Sequence, residues 1–249
     1  MKKILIAIAL FVLPTIICRY LLLIFRIKTH GIAKGCRIGF SIVICDIMKL
    51  GPNTKIGHLN FVHIKKLELN DRSKILHLNF IKGPISVFFD EDSWKHSQNK
   101  ISGPVLNFAR EQKFCLGKKS TVMMKCLFDI THSIEIGDDT TIAGAGVQMW
   151  THAFYVGREK HARVDGGIRI GNSCYIGANA VVCSGCSITD FTTIGANATV
   201  SKSISVPGLY VSQPLRFIEF DADMSIANLR NEIYPGIFQK GIKYNENHF

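Results

Sequence analysis

The sequence predicts an all-β solenoid, and three observations carry that reading. Aliphatic residues recur every six positions in two runs, one through Ile32, Ile38, Ile44, Leu50, Ile56 and Val62, the other through Ile170, Ile176, Val182, Ile188, Ile194, Val200 and Val206. Small or modest side chains follow four residues later, at Cys36, Thr54, Cys174, Ala180, Cys186, Thr192 and Ala198. Glycine often stands directly after the aliphatic, as at Gly39, Gly51, Gly57, Gly137, Gly171, Gly177 and Gly195. A period of six matches neither a helix nor an uninterrupted strand, but it matches a short strand and a turn, repeated. Three such units close a triangular coil of about 18 residues, aliphatics inward, with glycine expected to allow the corner conformation. Coils stacked at strand spacing place Ile170 under Ile188 and Ile176 under Ile194.

Residues 1–28 precede the coil as an apolar stretch with Lys2, Lys3, Arg19, Arg26 and Lys28 and no acid. No A-x-A-like site follows the apolar core, which argues against a cleaved signal peptide. Pro14 interrupts a helix and Arg19 is costly at mid-membrane depth, so a straight span is disfavoured. The expectation is a kinked or re-entrant helical segment on a membrane surface, its basic residues on anionic headgroups.

The solenoid is expected over residues 29–214, the ladder running more loosely through Leu69, Ile75, Ile81 and Val87, then Leu116 and Val122, then Ile136 and Ile142. Two segments carry no sixes, residues 88–103 and 149–167, and are read as excursions, the usual carriers of function on a solenoid. The repeat stops after Pro207, and residues 215–249 are read as a C-terminal cap with a short helix around 221–233.

Composition narrows the function classes. A chain of 249 residues with 47% hydrophobic and 20% charged residues is neither a disordered polyelectrolyte nor a collagen-like fibre. Its net charge of +11 favours anionic partners. The basic residues are spread out and no stacking-aromatic module appears, which sets nucleic acid aside. Cys36, Cys126, Cys174 and Cys186 fall at the small inward position, where cysteine acts as a small hydrophobe. Cys183 and Cys186 are spaced as CxxC, but they occupy different repeat positions and no second pair completes a metal site, so reduced thiols are expected.

The segment IGNSCYIGANAVVCSGCSITDFTTIGANATVSKSISVPGLYVSQPLRFI resembles the end of the hexapeptide-repeat acyltransferases, the left-handed parallel β-helix enzymes. Within them it is most similar to O-acetyltransferases of bacterial surface polysaccharides. The resemblance implies a left-handed coil, a homotrimer, and acetyl-CoA in a groove between adjacent β-helices. It implies a catalytic His152, in Met149-Trp150-Thr151-His152. Imidazole suits that duty, because a sugar hydroxyl must lose a proton it cannot lose unaided at pH 7. Transfer is then direct, with no acyl-enzyme. Asp129 and Trp150 are assigned to the acceptor saccharide, Gly185 and Ala196 to the pantetheine arm, Lys202 and Arg216 to the coenzyme phosphates.

Ser212-Gln213-Pro214 departs from the family's Gly before the closing Pro, which puts the shape of the adenine end in question. The carboxylate that orients His152 is open among Glu159, Asp165 and Asp129. The acceptor is read as a surface-polysaccharide precursor or lipid-linked saccharide, at the cytoplasmic face of a bacterial inner membrane.

Two rival readings remain. A metal-dependent lyase of the γ-carbonic-anhydrase type would use His58, His63 and His77. However, Gly57-His58-Leu59-Asn60-Phe61 and Leu76-His77-Leu78-Asn79-Phe80 read as one repeat copied, which makes the two histidines stacked surface neighbours. The other rival is a non-catalytic β-helix scaffold on the membrane.

Overall fold

The structure, a computed structural model, describes residues 2–24, 29–105, 110, 112–156, 158, 161–212 and 216–218. Two helices lead into a parallel β-solenoid of about nine turns, whose strands form one 14-stranded and one 10-stranded sheet. Ile170 pairs with Ile188, Ile176 with Ile194 and Val182 with Val200, the spacing of 18 that the period requires.

Earlier coils are longer. Ile56 pairs with Ile75, 19 residues on, and Ile75 with Lys95, 20 on. Ile101 pairs with Phe128, 27 on, and Ile136 with Ile170, 34 on. Extra residues at corners shift the phase without moving the inward ladder, which is why the pattern loosens between Val62 and Ile136. The same slip corrects two members of the runs. Val43, not Ile44, stacks on Val62, and Val206 is exposed beyond the last full coil.

Residues 88–103 are not an excursion. Trp94–Lys95 and Lys100–Ser102 are regular strands, and Phe89, Lys95 and Ile101 point inward at the expected six-residue spacing, all buried. The ladder is hidden in the sequence because one rung is a lysine. Lys95 stands between Ile75 and Val122, and its ammonium donates to Asn79 Oδ1 at 2.8 Å. That oxygen belongs to an asparagine ladder: Asn79 N–H donates to Asn60 Oδ1 and Asn99 N–H to Asn79 Oδ1. Burial pushes the Lys95 amine down to about 7 and the neighbouring Cys126 thiol up to about 11.

The glycines after each aliphatic do not take the corner conformation. The left-handed residue comes two positions later, at Asp139 (φ 51°) after Gly137 and at Asn179 (φ 56°) after Gly177. Glycine is needed there for closeness instead. A Cβ on Gly137 would stand 2.7 Å from the Gly171 carbonyl, and one on Gly177 2.6 Å from the Ala196 nitrogen, both backbone atoms that cannot move aside.

Cys126, Cys174 and Cys186 are buried as expected, Cys36 is half-buried, and all eight cysteines are free thiols. Hydroxyls fill equivalent inward positions elsewhere and satisfy corner carbonyls. Ser120 donates to Gly137 O at 2.6 Å and Thr140 to Gly171 O at 2.8 Å.

The N-terminal segment is helical and broken at Pro14, into α1 (Lys2–Val12) and α2 (Thr15–Ile24). No helix among the described residues is long and apolar enough to cross a membrane. The segment packs on the first strands of the solenoid. α1 lies on strand Ile42–Leu50 and α2 on His30–Ile32, and Ile6, Ala7, Leu10, Cys18 and Leu22 are buried. An open solenoid end exposes its inner aliphatics, and the helices cover them. Thr15 fastens the cap, its hydroxyl accepting from Ile38 N–H at 2.8 Å. The opposite face is bare, with Ile4, Leu5, Ile8, Val12, Ile16, Leu23 and Ile24 exposed. The C-terminal cap and its helix around 221–233 lie outside the described residues, apart from strand Arg216–Ile218, which pairs antiparallel with Gly208–Val211.

Candidate active site at one corner of the coil

Both long coils add their extra residues at one corner. The ladder Ile101, Phe128, Met149, Val182, Val200 turns into that corner. From it the chain leaves after Ser102, to return at Gln112, and leaves again after Thr151. The second excursion is an antiparallel hairpin of His152–Val156 and His161–Asp165, in register His152 to Asp165 and Phe154 to Arg163. It is shorter than the expected 149–167, because Met149 and Trp150 still belong to a coil strand.

His152 begins the hairpin, and its Nδ1 meets Asp129 Oδ2 at 2.8 Å. Asp129, on the coil beneath, is nearly buried and held by more donors. Thr151 gives Oδ2 its hydroxyl at 2.9 Å and its N–H at 3.2 Å, and the Thr131 hydroxyl reaches Oδ1 at 3.1 Å. A carboxylate only accepts, so Nδ1 carries the imidazole proton and Nε2 has a free lone pair. Of the three candidate carboxylates, Asp129 is the partner. Asp165 serves two arginines, and Glu159 lies outside the described residues. Asp129, which the resemblance assigned to the acceptor, is thus the residue that holds the imidazole.

The dyad opens on a groove of about 440 Å³ lined by Ser102, Gly103, Pro104, Asp129, Thr131, His152, Phe154 and Arg163. Trp150 and Phe154 flank the imidazole edge-on, at ring distances of 6.3 and 5.8 Å. Arg110 donates to Asp165 Oδ2 at 3.0 Å and to Thr131 O at 2.7 Å, tying the hairpin to the coil. Burial opposes ionisation of Asp165, but the hydrogen bonds from Arg110 and Arg163 outweigh it and hold its carboxyl below the usual range. His132, behind Thr131, is pushed down, by burial first and by Arg110 second.

The residues assigned to the coenzyme divide. Gly185 stands at this same corner, in the left-handed conformation (φ 78°), closely packed on Gly166 at the hairpin base. Lys202 follows on the next coil and is exposed. Ala196 is exposed at a different corner, stacked on Gly177. Arg216 begins a described strand, but its side chain lies outside what is described.

The His58 and His77 rings stack 5.5 Å apart and 4° from parallel, as the copied repeat implied. Each Nδ1 accepts a backbone N–H, from Phe40 and His58 respectively, which gives the pair a structural use. Among the described residues no three His, Cys, Asp or Glu side chains come together as a metal site.

Residues 167–202 match the sequence pattern described as "Bacterial transferase hexapeptide (six repeats)". The matched residues are the regular coils from Gly167 onward. No curated protein matches the chain. Among solved structures, the chain is similar to a galactoside acetyltransferase in complex with coenzyme A, at 23% identity and TM-score 0.42, covering 45% of this chain and 57% of that one. It is also similar to a hexapeptide-repeat acetyltransferase of Vibrio cholerae O1 biovar eltor complexed with acetyl coenzyme A, at 22% and 0.40, covering 43% and 59%. A third is a polySia-specific acetyltransferase, at 16% and 0.41, covering 75% and 85%. The chain thus spans less than two thirds of the length of the first two.

Phe154, Thr131, Arg110 and Arg163 are site residues that the period could not reveal. The hairpin alone carries a signal, because His152, Phe154, Arg163 and Asp165 alternate with outward residues as one face of a two-stranded ribbon must.

Proposed function

We propose that this protein transfers the acetyl group of acetyl-CoA directly to a hydroxyl of a saccharide. The Asp129–His152 dyad at the groove carries this reading. His152 Nε2 takes the hydroxyl proton as the sugar oxygen attacks the thioester carbonyl carbon. The new C–O bond forms, the C–S bond breaks, and the imidazolium returns its proton to the departing thiolate. Asp129 stabilises the imidazolium and fixes its tautomer. The residues fit acetyl-CoA where they are described: Gly185 leaves the corner open beside the hairpin, and Lys202 offers charge to a phosphate. Trp150 and Phe154 provide apolar faces for a sugar ring.

The left-handed sense and trimeric assembly belong to the same reading. Phe40, Leu59 and Leu78, exposed along one coil corner, support an interface. The test is acetyl transfer from acetyl-CoA to surface-glycan saccharides, read by mass spectrometry as a gain of one acetyl group and by release of free CoA. Both are expected to vanish in His152→Ala. Undiminished transfer by that variant rejects the mechanism.

The bare apolar face of the helical cap, with Arg19 beside it, supports a seat on an anionic membrane surface, and with it a lipid-linked acceptor at the cytoplasmic face. The protein is expected to float with phosphatidylglycerol-containing vesicles. The double variant Leu5→Glu, Val12→Glu, which changes only exposed positions, is expected to stay at the bottom of the gradient. Failure of the unaltered protein to float removes the membrane from the reading.

A further inference from the structure

We propose that the solenoid stands upright on the membrane as a spacer, so that its acceptor is a lipid-linked saccharide chain several sugars long, acetylated on a sugar remote from the lipid. The inference rests on the acyl-transfer reading and on the membrane seat, and it names the substrate class of the same site. One column of side chains carries it. Ile44, His63, Lys82, Ser102, Asp129 and Trp150 pair rung to rung in the parallel sheet and share one face of it. Ile44 belongs to the strand on which α1 lies, and Ser102 and Asp129 line the groove at His152. The column therefore measures the distance from helical cap to dyad along the coil axis.

Strands lie about 4.8 Å apart, so four rungs place Asp129 about 19 Å from the strand under α1. The helix adds a layer about 10 Å thick, and its bare side, with Leu5, Ile8 and Val12 exposed, faces away from the coils. An interfacial helix sinks by about 5–10 Å, which leaves the dyad about 20 Å above the surface. The link between lipid and reacting sugar has to cover that height. A tether too short to span its two sites gives an effective concentration near zero, and one of matching length gives the maximum. A single sugar on a headgroup falls short, and a chain of several sugars reaches.

The strip between cap and groove suits such a chain. His63 and Lys82 are exposed and can hydrogen-bond hydroxyls, and in the neighbouring column Phe61 and Phe80 stack at 5.3 Å as an apolar track. The alternative is a molecule lying on its side with the groove at the lipid, where a single sugar suffices.

The height is measured first, independently of the acceptor. Of the two tryptophans, Trp94→Phe leaves only Trp150, beside His152. On phosphatidylglycerol-containing vesicles with dansyl headgroups, energy transfer from Trp150 is expected to be several-fold weaker than from the cap of Ile8→Trp, Trp94→Phe, Trp150→Phe. Galactan chains of one, two, four and eight sugars, each joined through a diphosphate to a farnesyl chain, are then offered with acetyl-CoA in vesicles. From one sugar to the chain that spans the height, kcat/KM is expected to rise at least about tenfold, and to vary less than about threefold in detergent micelles. Fragmentation mass spectrometry is expected to place the acetyl group away from the lipid-proximal sugar.

Equal energy transfer from both positions, or equal kcat/KM at every length on vesicles, overturns the proposal. So does a length preference unchanged in micelles, because the groove itself is then reading the chain. Weak transfer from Trp150 with no acetylation of any chain sinks the transferase reading and keeps the upright stance. Acetylation of free galactan by a protein that does not float keeps the transferase reading and removes the spacer.

Discussion

Asp129→Asn is expected to lower kcat by about 10²- to 10⁴-fold while the protein stays folded. The carboxamide has nearly the shape of the carboxylate and can keep its oxygen toward the Thr151 hydroxyl and N–H, which hold that oxygen at 2.9 and 3.2 Å. That oxygen still accepts from His152 Nδ1, and the NH2 takes the Oδ1 place and faces the Thr131 hydroxyl, which can accept. What is lost is the negative charge that stabilises the imidazolium formed as His152 takes the acceptor's proton. The base is weakened with the ring still in place. KM for acetyl-CoA should move less than about threefold, because no coenzyme contact is involved. Steady-state rates on matched, circular-dichroism-checked proteins measure both. A variant retaining half of the wild-type kcat shows that the Asp129 charge does not support the base.

Lys95→Met is expected to stabilise the protein at pH 7, by on the order of 4 kcal/mol at most. Lys95 is fully buried between two aliphatic rungs, and burial has lowered its amine to about 7 from the ordinary 10.5. Between those values the unfolded chain binds a proton that the folded chain does not. Stability therefore rises with pH in that window, by about 1.4 kcal/mol per unit. Below about pH 7 both states are protonated and the whole burial cost weighs on the fold. Methionine is unbranched, one atom shorter and uncharged, and Asn79 Oδ1 keeps its bond from Asn99 N–H at 3.0 Å.

Urea unfolding at pH 7 and pH 9 should show a higher midpoint for the variant and a flatter pH slope. Above pH 9 the Cys126 thiol, pushed up to about 11, contributes with the opposite sign, so the comparison stops there. A variant less stable than the parent at pH 7, or one with an unchanged slope, shows that Lys95 is worth more as a hydrogen-bond donor than it costs by burial.

The same lysine marks where the sequence was legible. From Ile170 to Val200 every inward rung is aliphatic and every coil has 18 residues, so stacking partners could be read off by counting. Between Phe89 and Ile101 the count also holds, but a polar side chain stands on the ladder, and a pattern defined by apolarity breaks at a residue that the fold buries for its hydrogen bond. The hairpin at His152 was visible as a gap in the period. The departure after Ser102, where Gly103 and Pro104 line the groove, was not, because the apparent gap at Lys95 took its place.

The sequence by itself determined the solenoid, its approximate extent and a histidine on an excursion, because each depends on spacing along one strand or coil. Only the tertiary structure decided that Asp129, 23 residues before His152, is its partner, that Arg110 and Arg163 share Asp165, and that two greasy helices close the coil's end. Those contacts join residues on different coils, and their registry depends on insertion lengths that a local period does not record.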